Sequence, residues 1–157
     1  MKKVIIIAAV DEKYGISKDE KLPWKNSKDM IHFKNTTKNK CVIMGKNTFL
    51  SIGKVLPNRI NVVMTSDPFF NIRNAQMGPF IVASSIGDAL SHFDGDNYVI
   101  GGSKIYNLFK DKCDEMIITH IKGDYHCDKF FPVELFNRFK TQEKIYEDDC
   151  MSIIRYK

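Results

Sequence analysis

Seven consecutive apolar residues, Val4 to Val10, stand near the start of the chain and are cut off by Asp11 and Glu12. A run of that length without polar alternation reads as a strand buried on both faces. Met1-Lys2-Lys3 ahead of it has the superficial look of a secretory leader, but the acidic pair ends the run and no small-residue cleavage site follows. Further β-rich runs cover Cys41 to Met44, Ile60 to Thr65, Phe80 to Ala83, Tyr98 to Ile100 and Met116 to Ile121. Helical patterns lie between them, near Lys28 to Thr36, Lys46 to Ile52, Ile86 to Phe93 and Lys104 to Phe109. Such strand–helix–strand connections predict an α/β fold with a mixed, mostly parallel central sheet flanked by helices. The pattern then changes. Phe139 to Tyr146 and Met151 to Tyr156, on either side of Glu147-Asp148-Asp149, predict a C-terminal antiparallel hairpin, and Ser66 to Pro79 reads as the longest loop.

A chain of 157 residues, 43% hydrophobic, supports one core burying roughly 70% of its unfolded surface, so residues 1–157 read as a single domain. Cys41, Cys113, Cys127 and Cys150 are irregularly spaced, with no zinc-like or C-x-x-C pattern, and are expected to be reduced thiols. No apolar stretch approaches the ~20 residues of a membrane span. The net charge of +5 is spread along the chain, which argues against a nucleic-acid arm and permits a basic cleft for small anions. The expectation is a cytoplasmic monomer with a small-molecule substrate, no metal, and neither nucleic acid nor membrane as a partner.

Leu22-Pro23-Trp24 followed by Asp29 places one carboxylate just inside a predicted helix. Asp29 shares a helix face with Phe33, and Met30 and Phe33 supply adjoining apolar surface. A carboxylate beside such surface is partly desolvated, which raises its pKa and suits proton chemistry near neutrality. Gly101-Gly102 ends a strand and opens a helix, where backbone N–H groups attract a pyrophosphate. Lys46-Asn47-Thr48 and Thr65-Ser66 also follow strand ends, where open α/β sheets bind ligands.

The stretch Val42 to Phe49 with Ser51-Ile52-Gly53, the stretch Tyr98 to Tyr106, Thr119-His120-Ile121 and Phe131-Pro132 follow Leu22-Pro23-Trp24 and Asp29 in order. With them the chain resembles dihydrofolate reductase nearly end to end. The resemblance implies reduction of dihydrofolate with NADPH. It implies that Asp29 anchors the pterin and promotes protonation of the nitrogen next to the reacting carbon, assisted by Thr119, by Trp24 through an ordered water, and by Leu22 and Tyr106. The substrate pocket it implies comprises Ile7, Val10, Asp29, Met30, Phe33, Ile52, Leu56, Ile100 and Thr119, with Arg59 gripping the α-carboxylate of the glutamate tail by its bidentate fork and Lys54 near the mouth. The implied cofactor site comprises Ala9, Ile16, Ser17, Leu22, Gly45, Lys46, Asn47, Thr48, Met64, Thr65, Ser66, Ile100, Gly101, Gly102, Ser103, Lys104, Ile105 and Tyr106. Lys46 and Ser66 take the 2′-phosphate, and Gly101-Gly102 carries the family's cis peptide. Gly15 to Leu22 corresponds to the mobile loop over the nicotinamide, with Asp128 opposite it; Ser17 stands where many relatives carry glycine, and serine narrows the backbone angles.

Two other readings stay open on sequence. A pyrimidine reductase of riboflavin synthesis shares this fold and cofactor, although Asp29 and Arg59 together argue for folate. A catalytically silent folate- or nucleotide-binding module would hold ligand without consuming NADPH.

Overall fold

A computed structural model describes residues 1–157, and β1 (Lys3–Val10) runs through the middle of its sheet. The strands that follow are β2 (Gly15–Ser17), β3 (Cys41–Gly45), β4 (Ile60–Met64), β5 (Ile81–Ala83), β6 (Asp96–Gly101), β7 (Glu115–Ile121), β8 (Lys129–Phe130), β9 (Gln142–Glu147) and β10 (Met151–Tyr156). Eight of them form one sheet in the order β5-β4-β3-β6-β1-β7-β10-β9. Every pairing from β5 to β7 is parallel, and β10 and β9 close one side antiparallel, as the hairpin pattern predicted.

The alternation of side chains along a strand divides the core into two layers. Val4, Ile6, Ala8 and Val10 join Ile43, Val62, Val99, Ile118 and Phe109 on one face. Ile5 and Ile7 join Val42, Met44, Val63, Tyr98, Ile117 and Ile153 on the other. Helices α1 (Ser27–Thr37), α2 (Lys46–Ile52), α3 (Phe70–Arg73), α4 (Ile86–Ala89) and α5 (Ser103–Phe109) lie between strands. None is long and apolar enough to cross a membrane.

Three local elements differ from the sequence expectations. The segment Ser66 to Pro79 is not a plain loop, because it contains α3 and a 3-10 turn at Ala75–Met77. Phe70 drives this, inserting into the core against Phe49 and Phe80 at ring separations of 6.0 and 5.8 Å, while Arg73 pairs with Asp67. The helix foreseen over Ile86 to Phe93 ends at Ala89; Ser85 caps its start through the Asp88 N–H, and Ser91 donates to the Asp88 carbonyl. The ribbon formed by β2 and β8 has no counterpart in the sequence expectations, its strands being three and two residues long and held by the main chain of distant loops.

Phe49 is fully buried and touches Phe70 and Phe80, the latter at 4.6 Å between ring centres. Phe49→Ala is expected to lower unfolding free energy by about 3–5 kcal/mol, the range for truncating a core aromatic. Urea denaturation checks this, and a change below about 0.5 kcal/mol, the scale of an ordinary surface substitution, would show that the α2–α3 layer is not a shared core.

Candidate active site

The cleft forms where β1 loses a neighbour. Its pairing with β6 stops at Ile6↔Val99, whereas its pairing with β7 continues to Val10↔His120. The Ile7 carbonyl is therefore free of the β6 ladder and accepts the Tyr106 hydroxyl at 2.9 Å. This is the C-terminal end of a parallel sheet, where the topology leaves a crevice.

On the α1 face of the floor, Ala9 of β1 lies opposite Thr119 of β7. Thr119 is buried and its hydroxyl donates to Asp29 Oδ1 at 2.7 Å. Asp29 stands in the first turn of α1 because Asn26 caps that helix, accepting the Asp29 N–H at 3.0 Å. Burial pushes the Asp29 carboxyl above its ordinary range, against the opposing pull of the Thr119 hydroxyl and of His32 one turn on. Trp24 is buried, stacks edge-on to Tyr125 at 5.3 Å, and its indole N–H has no partner in the protein. Phe33 packs at the margin of the same layer, while Met30 is 67% exposed and Leu22 57% exposed.

Across the cleft, Ile52 is exposed on α2, and Leu56 and Arg59 follow on the connection to β4. Asn61 shapes that connection from inside: its side chain accepts the Leu56 N–H at 2.9 Å and donates to the Leu56 and Arg59 carbonyls. The Arg59 guanidinium donates to the Pro57 carbonyl at 3.0 Å and to Thr37 Oγ1 at 3.4 Å, and no carboxylate pairs with it. Burial pulls its pKa down from the usual value. Lys54 is exposed and makes no side-chain hydrogen bond.

At the far end, α2 opens at Gly45 and α5 at Gly102, and neither helix has a side-chain cap, so first-turn N–H groups are open to a ligand. The two turns sit together. A Cβ on Gly45 would lie 2.9 Å from Ile105, and one on Gly102 would lie 3.5 Å from Thr48 Oγ1. Gly101-Gly102 is cis. Gly45 and Met64 are register partners, so Lys46 and Thr65-Ser66 leave neighbouring strands side by side; Lys46, Asn47, Ser66 and Lys104 are exposed, and Ser103 is half-buried. These exposed donors and uncapped turns match the chemistry of a phosphate-bearing dinucleotide.

Several expected contacts are not made by side chains. Val10 points to the opposite layer and has no exposed surface, so its side chain serves that core rather than a substrate. Met64, Ile105 and Ile16 also lie in that layer. Tyr106 is buried against Phe131, with its hydroxyl proton committed to Ile7; burial, then the Asp29 charge, raises its pKa. Ser17 is not among the residues with positive φ, so the serine meets no backbone penalty in this conformation. Its carbonyl accepts the Asp128 N–H at 3.0 Å, and the Asp128 carboxylate accepts the Asp19 N–H at 3.0 Å. The loop reaches across to α2, where the Ser51 hydroxyl donates to the Glu20 carbonyl at 2.7 Å. Sequence reading missed Asn26, Asn61, His32 and Tyr125; the Asn-x-x-Asp spacing from Asn26 to Asp29 is a capping signal, whereas the others carry no local signature.

The raised pKa of Asp29 has a signed consequence for stability. The folded state holds the proton more tightly than the unfolded chain, so its stability is highest below the ordinary aspartate pKa and falls as pH rises from there to the elevated folded value. Asp29→Asn removes that loss while keeping an acceptor for Thr119. The variant is expected to gain stability relative to the parent between acid and neutral pH, and denaturant unfolding at both ends of the window checks this; a difference independent of pH would contradict the raised pKa.

A family model described as dihydrofolate reductase matches residues 3–156. Among curated relatives, the dihydrofolate reductase of Staphylococcus haemolyticus is 35% identical over 149 residues, covering 94% of this chain and 88% of that protein. The Staphylococcus aureus enzyme is 36% identical over 140 residues, covering 89% and 84%. Among solved structures, a dihydrofolate reductase from Enterococcus faecalis complexed with NADP(H) and RAB-propyl superposes with a TM-score of 0.84 at 27% identity, covering 98% of this chain and 95% of that one. The chain belongs to the dihydrofolate reductase family.

Proposed function

We propose that residues 1–157 act as one catalytic domain that reduces 7,8-dihydrofolate to 5,6,7,8-tetrahydrofolate with NADPH. The observation that carries this reading is the Asp29 carboxylate, bonded to Thr119 at 2.7 Å and set beside apolar surface at the open end of the sheet in a chain of this family. Asp29 Oδ1 accepts the Thr119 hydroxyl, leaving acceptor capacity for the paired N–H donors of a 2-amino-pterin. Phe33, Ile52, Leu56, Ile7 and Ile100 supply the apolar walls that a flat ring requires. Raised by its burial, Asp29 favours protonation of the ring nitrogen next to the reacting carbon, with the proton drawn from solvent. The unpartnered Trp24 N–H supports a role in holding a water at that edge. Arg59 is an unpaired fork for the α-carboxylate of the glutamate tail.

When bound, NADPH supplies the hydride for the pterin carbon. Gly45 to Thr48 and Gly101 to Lys104 would hold its pyrophosphate through uncapped helix starts, and Lys46 with Ser66 would hold the 2′-phosphate. The loop from Gly15 to Leu22 would cover the nicotinamide end and exclude water. The proposed enzyme is a monomer. The four free cysteines support a reducing, cytoplasmic setting.

Following nicotinamide absorbance with dihydrofolate and purified protein tests the reaction; NADPH bound but not consumed would favour a silent binding module. Asp29→Asn should slow hydride transfer at neutral pH on the order of 10² or more while leaving NADPH affinity unchanged. A folded variant working at parental rate would remove the carboxylate from the mechanism. Lys46→Ala should reduce the preference for NADPH over NADH by roughly 1.5–3 kcal/mol, the value of a charge-assisted contact, with dihydrofolate affinity preserved. Equal use of both cofactors by the parent protein would refute the 2′-phosphate assignment.

A further inference from the structure

The apolar run of β1 ends at Asp11, which is 2% exposed and takes part in none of the ion pairs of the molecule. A buried carboxylate without a cation must be satisfied by hydrogen-bond donors. Here the donors come from two loops. Asp11 Oδ1 accepts the N–H groups of Lys13 at 2.9 Å and Gly15 at 2.8 Å, both on the loop that leads toward α1. Oδ2 accepts the Tyr125 N–H at 3.0 Å and the Cys127 thiol at 3.6 Å, both on the loop between β7 and β8.

Contact between the loops at this point is close. A Cβ on Gly15 would stand 2.3 Å from Cys127 Cβ, so glycine is required there for approach, not for backbone angle. Beyond Gly15 the same two segments pair as β2 and β8. The first loop cannot swing away from the second without stripping Lys13 and Gly15 from an anion whose other donors belong to the second loop. On an exposed carboxylate water would replace those donors at once; Asp11 is only 2% exposed, so the two loops supply in place of water the donors it needs.

We propose that Asp11 is a positioning residue for the reaction: its carboxylate bolts the stem of the 12–22 loop to the 123–128 loop and sets where Ser17 and Leu22 would stand over the cofactor. The inference rests on the dihydrofolate reductase reading given above. Asp11 touches neither reacting group, and it acts through the loop it holds. Its loss should therefore fall chiefly on the cofactor side of the cleft and on the hydride step, because Asp29 and Thr119 on the pterin side are held by α1 and β7, and Asp11 reaches that side only through Tyr125 against Trp24.

Asp11→Ala should raise KM for NADPH and lower the single-turnover hydride rate by on the order of tenfold to a hundredfold, as expected for slight misplacement of reactants. Dihydrofolate affinity measured without NADPH should change by less than about threefold, since Asp29 and Thr119 keep their own supports. Asp11→Asn should be intermediate, because its carbonyl still accepts one pair of donors while its amide confronts the other pair. Asp114 provides the comparison for stability alone: its carboxylate accepts the Val4 N–H at 2.8 Å at the other end of β1, and Asp114→Asn should lower Tm without moving KM for NADPH. A folded Asp11→Ala protein with parental NADPH affinity and hydride rate would overturn the proposal, as would equal kinetic losses in the two aspartate variants at matched Tm. Should the Asp11 variants not fold, native-state hydrogen exchange on the parent decides: the amides of Lys13, Gly15 and Tyr125 should open together at one rate, and independent rates would overturn the clamp. If the parent consumes no NADPH, the functional reading fails, whereas the exchange measurement needs no turnover and still judges the clamp.

Discussion

The burial of β1 on both faces and both edges organises this molecule. Its side chains must face a core in either direction, so helices are needed above and below, and its backbone groups must pair with β6 on one side and β7 on the other. The candidate site arises where this requirement is met unevenly. The β6 ladder stops at Ile6 while the β7 ladder runs on to Val10, and the released Ile7 carbonyl is satisfied by a side chain, Tyr106, instead of a strand. A cleft opens on the side that lost its strand, with Thr119 and Ala9 as its floor because β7 did not leave.

What the sequence made legible follows from period and length. The strand from Val4 is a long apolar run and those from Cys41, Ile60 and Met116 are shorter, mostly apolar ones, and only a sheet covered on both faces accommodates them. Asp29 was legible because a lone carboxylate beside Met30 and Phe33 contradicts its surroundings. Features built from contacts between distant loops were not. Helix α3 is only four residues long, and it exists because Phe70 finds Phe49 and Phe80, residues outside it. Val10 belongs to the same continuous run as Ile7, and only the alternation of a finished strand shows that the two face opposite layers. Asn61 reads as a polar residue at a strand start, although it holds the Leu56 to Arg59 turn in place from within.

Asp11 and Asp29 show why burial alone does not decide what a carboxylate does. Both are withdrawn from water, and in both burial is the largest influence, acting to raise the pKa. They end on opposite sides of the ordinary value because they receive different numbers of donors. Asp11 gathers three backbone N–H groups and a thiol, which together outweigh its burial and hold it ionised. The side chain of Asp29 receives one hydroxyl from Thr119, and burial wins. A carboxylate with its acceptors filled is a fixed point, able to hold loops but with no capacity left for a ligand. A carboxylate with one acceptor filled and a raised pKa keeps lone pairs and a proton affinity to offer a substrate. Read only as the residue that ends an apolar run, Asp11 gives no sign of this, because two of its four donors sit on a loop more than a hundred residues away. The division of labour between the two aspartates is thus set by the groups folded around each one, three backbone N–H groups and a thiol at the first and a single hydroxyl at the second.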